Sequence, residues 1–112
     1  EGQLPGLGWI DAEVRRFNLA GHSTLKVPHM GWNTISITKA NSLISHSDGE
    51  QRFYFVHSFH AICNNAEDVL ATADHGYEFA AGFSHKNIYG VQFHPEKSHR
   101  FGMALMRKFI EL

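Results

Sequence analysis

The pattern of apolar residues changes period once, and that change limits the folds open to the chain. Before Pro95 apolar side chains tend to recur at every second residue, as on half-buried strands. From Ser98 onward Phe101, Ala104, Leu105, Phe109 and Leu112, with Lys108 between them, fall near the i, i+3, i+4, i+7 spacing of a helix. The chain therefore reads as about six strands closed by one amphipathic helix of roughly three turns, with Ser98 as its N-cap. The helix's apolar stripe is expected to pack on the sheet.

The strands differ in how clearly they are written. Phe53-Tyr54-Phe55-Val56-His57-Ser58-Phe59 is a dense aromatic and β-branched run, too short for a typical helix, and reads as a buried strand. Parity puts Phe53, Phe55 and His57 on one face and Tyr54, Val56 and Ser58 on the other. Glu78–Phe83 and Ile88–Phe93 flank a turn at His85-Lys86-Asn87 and predict a β-hairpin, which Pro95 ends. Val69–Ala73 leads to a turn at Asp74-His75-Gly76. Thr34–Thr38 has the strand period, Glu13–Phe17 alternates weakly, and Thr24–Pro28 stops at proline as an edge strand does. His29–Asn33 and Asn18–Ser23 are turn-prone, Gly2–Gly8 reads as loop, and Lys39–Gly49 is a short helix or a loop.

Composition narrows the class. A chain of 112 residues is one domain at most, and 43% hydrophobic with 19% charged residues argues against disorder and coiled coil. The net charge of −1 gives little support to nucleic acid or an acidic membrane surface as partner. No apolar run approaches the roughly 20 residues that span a bilayer. Glu1–Gly8 has neither the basic cap nor the apolar core of a secretory signal. The single cysteine, Cys63, excludes an internal disulfide and makes a reducing cytosol the default location.

Chemistry concentrates in Gln92-Phe93-His94-Pro95-Glu96-Lys97-Ser98. Residues two apart on an extended chain point to the same side, so the Glu96 carboxylate reaches one imidazole nitrogen of His94 and leaves the other aimed outward. Pro95 biases His94 toward extended geometry. That is the base and its orienting partner in a nucleophilic triad. On spacing alone, a surface His and Glu at a strand end remains the simpler reading.

Phe93-His94-Pro95-Glu96 before a closing helix resembles the C-terminal signature of class I, triad-type glutamine amidotransferases. Pro28-His29-Met30-Gly31-Trp32-Asn33, Tyr54-Phe55-Val56-His57-Ser58-Phe59 and Gly6-Leu7-Gly8-Trp9-Ile10 are similar to stretches of the glutaminase subunits of imidazole glycerol phosphate synthases. The resemblance covers essentially the whole chain. It implies an α/β fold, the C-terminal half of a flavodoxin-like domain, with a mixed β-sheet, a late β-hairpin and a C-terminal helix. Residues 1–112 would be the C-terminal part of a single amidotransferase domain of about 200 residues.

The implied activity is hydrolysis of glutamine to glutamate and ammonia by a cysteine thiolate. By match, His94 is the general acid/base and Glu96 orients it, while the imidazolium form of His94 lowers the pKa of the thiol. Backbone groups at Ser58 and Phe59 hold the glutamine α-carboxylate. Ammonia passes to a (β/α)8-barrel synthase subunit in histidine biosynthesis. Trp32, Tyr54 and Lys97 match positions facing that partner, and Lys97 meets an acidic group there. No cofactor is implied.

The departures matter as much. The family's nucleophile sits in a Gly-x-Cys-x-Gly elbow in the first half of the domain, and no such sequence occurs here. Cys63, in Ala61-Ile62-Cys63-Asn64-Asn65, is expected to be a structural thiol, and the chain alone is expected to be inactive. Half a sheet leaves an unpaired edge and an uncovered apolar face, which the missing N-terminal half would cover. Two other readings stand beside this one. Ser98-His99-Arg100-Phe101-Gly102-Met103 looks at least as much like paralogues that supply ammonia for nucleotide-sugar or surface-polysaccharide synthesis. A non-catalytic scaffold that only binds the barrel is the other.

Nine histidines invite a metal reading. His57-x-x-His60-x-x-Cys63 has ligand types at short spacing but lacks the paired thiolates and fourth ligand of a structural zinc, so no metal site is assigned. If the strand runs past Ser58, His57 and His60 face opposite sides. His22, His46, His75, His85 and His99 are expected in solvated positions, and His29 and His57 in structural or near-site ones. Trp32 is core or partner-facing. Lys97, near a helix N-terminus where the dipole disfavours a cation, is a solvated charge or a partner contact.

Overall fold

A computed structural model describes residues 12–19, 25–39, 41, 43–44 and 49–111. The motif at residues 6–10, the glycine-rich loop before it, His22, His46 and Leu112 lie outside these residues. In chain order the elements are β1 (Ala12–Arg16), β2 (His29–Ile37), β3 (Gln51–His57), β4 (Phe59–Cys63), β5 (Val69–Asp74), β6 (Glu78–His85), β7 (Ile88–Val91) and α1 (His99–Ile110). Single 3-10 turns at Ala66–Asp68 and Pro95–Lys97 precede β5 and α1. The order β3-β2-β5-β6-β7 makes a five-stranded sheet, and β1 with β4 makes a two-stranded ribbon. Every ladder among the described residues is antiparallel.

β3 organises the core. Phe53 and Phe55 are fully buried and His57 is 5% exposed, so the parity read from the sequence holds. Phe53 stacks on Phe93 with ring centroids 3.9 Å apart, and Phe55 meets Phe79 edge-on. Leu70, Ala71, Ala81 and Leu105 complete the layer. Burying each large apolar side chain contributes about 1.5–3 kcal/mol, so this cluster dominates the fold's stability.

The aromatic run does not continue as one strand. The chain bends at Ser58, and β4 leaves β3 to pair with β1. The bend cancels the alternation, so His57 and His60 lie on the same side. Both pack on Phe17, at 5.1 and 4.7 Å between ring centroids.

Other expectations are corrected. Residues 25–28 form no strand. His29–Asn33 is not a turn but the first half of β2, in register with β3 from His29 opposite His57 to Ile35 opposite Gln51. Its turn-like composition has two local causes. Gly31 takes φ +127, which a side chain rarely adopts. Asn33 spends its amide on Asp74's carbonyl and on the next backbone N–H. In the stretch 39–49, Asn41 Oδ1 accepts the N–H groups of Leu43 and Ile44, an Asx turn that buries both side chains. The hairpin turns at Lys86 and Asn87, with His85 opposite Ile88.

The closing helix forms where the period change predicts it, but its apolar stripe is only partly covered. Gly102 and Leu105 are buried and Phe101 is half-buried, whereas Ala104 and Phe109 are exposed, Phe109 by 52%. The helix is seated by contact at Gly102, where an added Cβ would lie 1.8 Å from the Pro95 carbonyl oxygen.

Candidate active site

The turn between β7 and α1 carries the site, and four hydrogen bonds hold it. After β7 the chain crosses to the outer edge of β3, where the His94 N–H donates to the Tyr54 carbonyl at 2.9 Å. The Ser98 hydroxyl donates to the His94 carbonyl at 2.6 Å and accepts the Tyr54 N–H at 3.0 Å. The Lys97 N–H also reaches the His94 carbonyl, at 3.0 Å. Ser98 is fully buried and makes no side-chain cap on the helix. Ser98 does stand at the N-cap, as expected, but its hydroxyl serves elsewhere: both its valences clamp the His94 turn to the sheet edge.

From this platform His94 Nδ1 lies 3.0 Å from Glu96 Oε2. A carboxylate only accepts, so Nδ1 donates and Nε2 of the neutral ring is left as the acceptor. The hydrogen bond from His94 is the main reason that the Glu96 carboxyl is held below its ordinary range. The His94 side chain is 36% exposed and that of Glu96 63%. The arrangement can hold one imidazole tautomer with Nε2 ready to take a proton from an incoming nucleophile.

The proposed partner-facing residues gather beside the pair. Trp32 and Tyr54 are directly opposed on β2 and β3, with ring centroids 6.0 Å apart. Trp32 is 46% exposed, so it is not core. Lys97 is exposed next to Glu96. His99, expected to be merely solvated, stacks on Trp32 at 5.7 Å from a backbone at φ +48. Ser58 and Phe59 sit at the bend ending β3, about 13 Å along the strand from Tyr54 at the usual rise per residue.

The remaining titratable groups divide clearly. Burial pushes the Cys63 thiol up, opposite to what a nucleophile needs, and Cys63 lies on β4 opposite Ala12. His75 and His85 are not free in solvent. His75 stacks on His29 at 4.3 Å and bonds the Lys26 carbonyl, and His85 Nδ1 lies 3.1 Å from Asp68 Oδ1. Among the described residues no three His, Cys, Asp or Glu side chains converge as metal ligands. Sequence reasoning gave Ser98 only the role of a helix cap and gave Gly102 none, and so missed that both hold the turn.

With this geometry in place, the glutamine amidotransferase class-I family description matches residues 13–112. The chain belongs to the class I glutamine amidotransferases. Among curated relatives, this amidotransferase chain is 47% identical over its whole length to Imidazole glycerol phosphate synthase subunit HisH of Bdellovibrio bacteriovorus, covering 55% of that protein. It is 48% identical over 99% of its length to subunit HisH 2 of Methanococcus maripaludis, covering 54% of it. The chain thus spans about half the length of these relatives. The crystal structure of a candidate GMP synthase subunit from Thermoplasma acidophilum superposes with a TM-score of 0.66 at 27% identity, over 89% of the amidotransferase chain and 47% of the other. The α/β class and the closing helix agree with that likeness.

Proposed function

We propose that this chain is the C-terminal part of a glutaminase subunit of imidazole glycerol phosphate synthase. The whole subunit hydrolyses glutamine to glutamate and hands the ammonia to a (β/α)8-barrel synthase subunit in histidine biosynthesis. The 3.0 Å bond between His94 and Glu96 carries the reading, because it presets the tautomer that a thiol nucleophile requires. Whole-length similarity to the HisH subunits supports it, and the nucleotide-sugar paralogues are not favoured.

In the mechanism, a cysteine from the N-terminal part of the domain loses its proton to His94 Nε2 and attacks the glutamine side-chain amide. His94 then returns the proton to the departing ammonia, leaving a glutamyl thioester. A water that gives its proton to Nε2 cleaves this to glutamate, the thiolate leaves and is reprotonated by His94, and Glu96 stabilises the imidazolium each time. Backbone groups at Ser58 and Phe59 take the α-carboxylate. Trp32, Tyr54 and Lys97 face the barrel. Phe109, Met106 and Ile110, exposed on α1, are covered by the N-terminal part of the domain. Lacking that part, residues 1–112 alone release no glutamate.

Glutamate release by the full-length protein with its barrel subunit tests this, in the wild type and in His94→Ala. Turnover that the variant loses is the expected result. Undiminished release in the variant overturns the catalytic assignment, and binding of the barrel without any release favours the scaffold.

A further inference from the structure

Two buried histidines take no part in the acid/base pair, yet one of them touches the stretch proposed to hold substrate. His57 Nδ1 lies 2.7 Å from the Phe59 carbonyl oxygen. A carbonyl only accepts, so Nδ1 carries the proton and Nε2 of the neutral ring is an acceptor. That Nε2 lies 3.0 Å from His29 Nδ1, which must therefore donate. His29 Nε2 is then an acceptor in its turn, and the Asn33 side-chain amide donates to it at 3.3 Å. The amide is oriented by its other bonds, to the Asp74 carbonyl at 2.7 Å and from the Thr34 N–H at 2.8 Å. Every link has one direction: Asn33 to His29, His29 to His57, His57 to the Phe59 carbonyl.

The relay is built into the fold. His29 and His57 are cross-strand partners, each 5% exposed, and Phe55 stacks on the His29 ring at 4.8 Å. The titratable groups facing His29 are His57 on β3 and His75 after β5. Those nearest His57 across Phe17 are His60 and Tyr77. Burial, helped by His75 and His57, pushes His29 down to about 4, so it is neutral at neutral pH.

The far end of the relay acts on backbone. The Phe17 N–H donates to the Ser58 carbonyl at 3.0 Å, and Phe59 is the next residue in register, opposite Arg16. Antiparallel alternation turns the N–H and carbonyl of Phe59 away from β1. Because a trans peptide is planar, holding a carbonyl also fixes the N–H that follows it. Phe17 thereby sets the Phe59 N–H, and His57 holds the Phe59 carbonyl on the same side, while the His60 N–H faces Arg15 in the β1 ladder.

We propose that His29 and His57 are positioning residues whose one-way hydrogen-bond relay, acting with the Phe17 N–H on the Ser58 carbonyl, fixes the backbone of Phe59 for the α-carboxylate of glutamine. This rests on the glutaminase reading and names the side chains that hold its substrate stretch in place. The relay needs both rings neutral, because a second proton on either ring sets N–H against N–H.

Two measurements on the full-length protein with its barrel subunit test the proposal. Nitrogen-15 spectra of labelled histidine should show His29 and His57 as neutral Nδ1–H tautomers at pH 7, and an Nε2–H tautomer at either position overturns the relay. Glutamine kinetics should show KM raised about tenfold by His57→Leu, the loss expected for one buried hydrogen bond, with a smaller change in kcat. His57→Asn places an amide N–H where Nδ1–H stood and should bring KM back to within about threefold of wild type. An unchanged KM in His57→Leu overturns the proposal, as does an Asn variant that is folded yet as impaired as the Leu variant. If the wild type releases no glutamate, the glutaminase reading fails, and the tautomer spectra still decide the relay.

Discussion

Two histidine pairs in this protein make the same 3.0 Å contact in opposite surroundings. His94 bonds Glu96 on a half-exposed turn, and His29 bonds His57 between two strands where both rings are 5% exposed. At the turn, the partner is an anion and water is near, so charge on the ring meets a counter-charge. Between the strands, the partner is another imidazole in an aromatic wall, so a gained proton has no counter-charge and cannot be solvated. One pair is placed to exchange protons and the other to keep them fixed.

The sharpest way to break this contrast is to delete one ring from each pair. His94→Ala should lower kcat for glutamine hydrolysis by about 10³-fold or more while leaving thermal stability nearly unchanged, since it removes an acid/base and little packing. His29→Ala should do the reverse, lowering unfolding free energy by about 2–4 kcal/mol in denaturant titration, because it opens a cavity and strands His57 Nε2. Equal stability losses in the two variants would erase the distinction.

Gly102→Ala comes next. A methyl group meets the Pro95 carbonyl, so helix and turn must separate. We expect a stability loss of about 1–3 kcal/mol together with a fall in kcat, read from the same two assays.

Acid should then separate the pairs. His29 titrates near 4 in the folded chain and near 6.5 when unfolded, so the unfolded state takes up the proton first. Stability is therefore full above pH 6.5 and falls as the pH drops from 6.5 toward 4, by up to about 3 kcal/mol in all. His60, also pushed down by burial, adds to the loss in the same direction. Glu96, held low by His94, likewise favours the folded state less as acid protonates it. Urea unfolding across this range should show a shallower slope in His29→Asn than in the wild type.

The smallest effect belongs to Cys63→Ser in the full-length protein. The thiol is pushed up by burial and lies away from the His94 turn, so glutamate release should stay within about twofold of wild type.

How far the sequence carries can be judged from particular residues. Phe53, Phe55 and His57 were legible as one face because strand parity depends only on neighbours in the chain. The contact between His94 and Glu96 was foreseen, but strand parity is not its cause: only His94 is extended, and the 3-10 turn at Pro95–Lys97 brings the carboxylate back to the ring. The helix start followed from the change of period. What failed depends on groups distant in the chain. His29–Asn33 looks like a turn until β3 arrives to pair with it, because Gly31 and Asn33 are turn residues with no local sign of their ladder. Ser98 reads as the helix cap and holds that place, but nothing local shows that its hydroxyl is taken by the Tyr54 N–H and the His94 carbonyl. The stripe on α1 looks like core, but among the described residues too little surface covers Phe109. The bend at Ser58, which puts His57 and His60 on one side, has neither Gly nor Pro to announce it.

The contact between Gly102 and Pro95 has a consequence for protein engineering. The His-Pro-Glu tripeptide is not a portable cassette. Its shape is imposed from below by a helix that must come to within touching range of a carbonyl, and from the side by a buried hydroxyl. Grafting the pair onto another scaffold would require transplanting the whole span from Phe93 to Leu105, together with a strand edge offering a Tyr54-like backbone, or the imidazole would lose its bearing on the carboxylate.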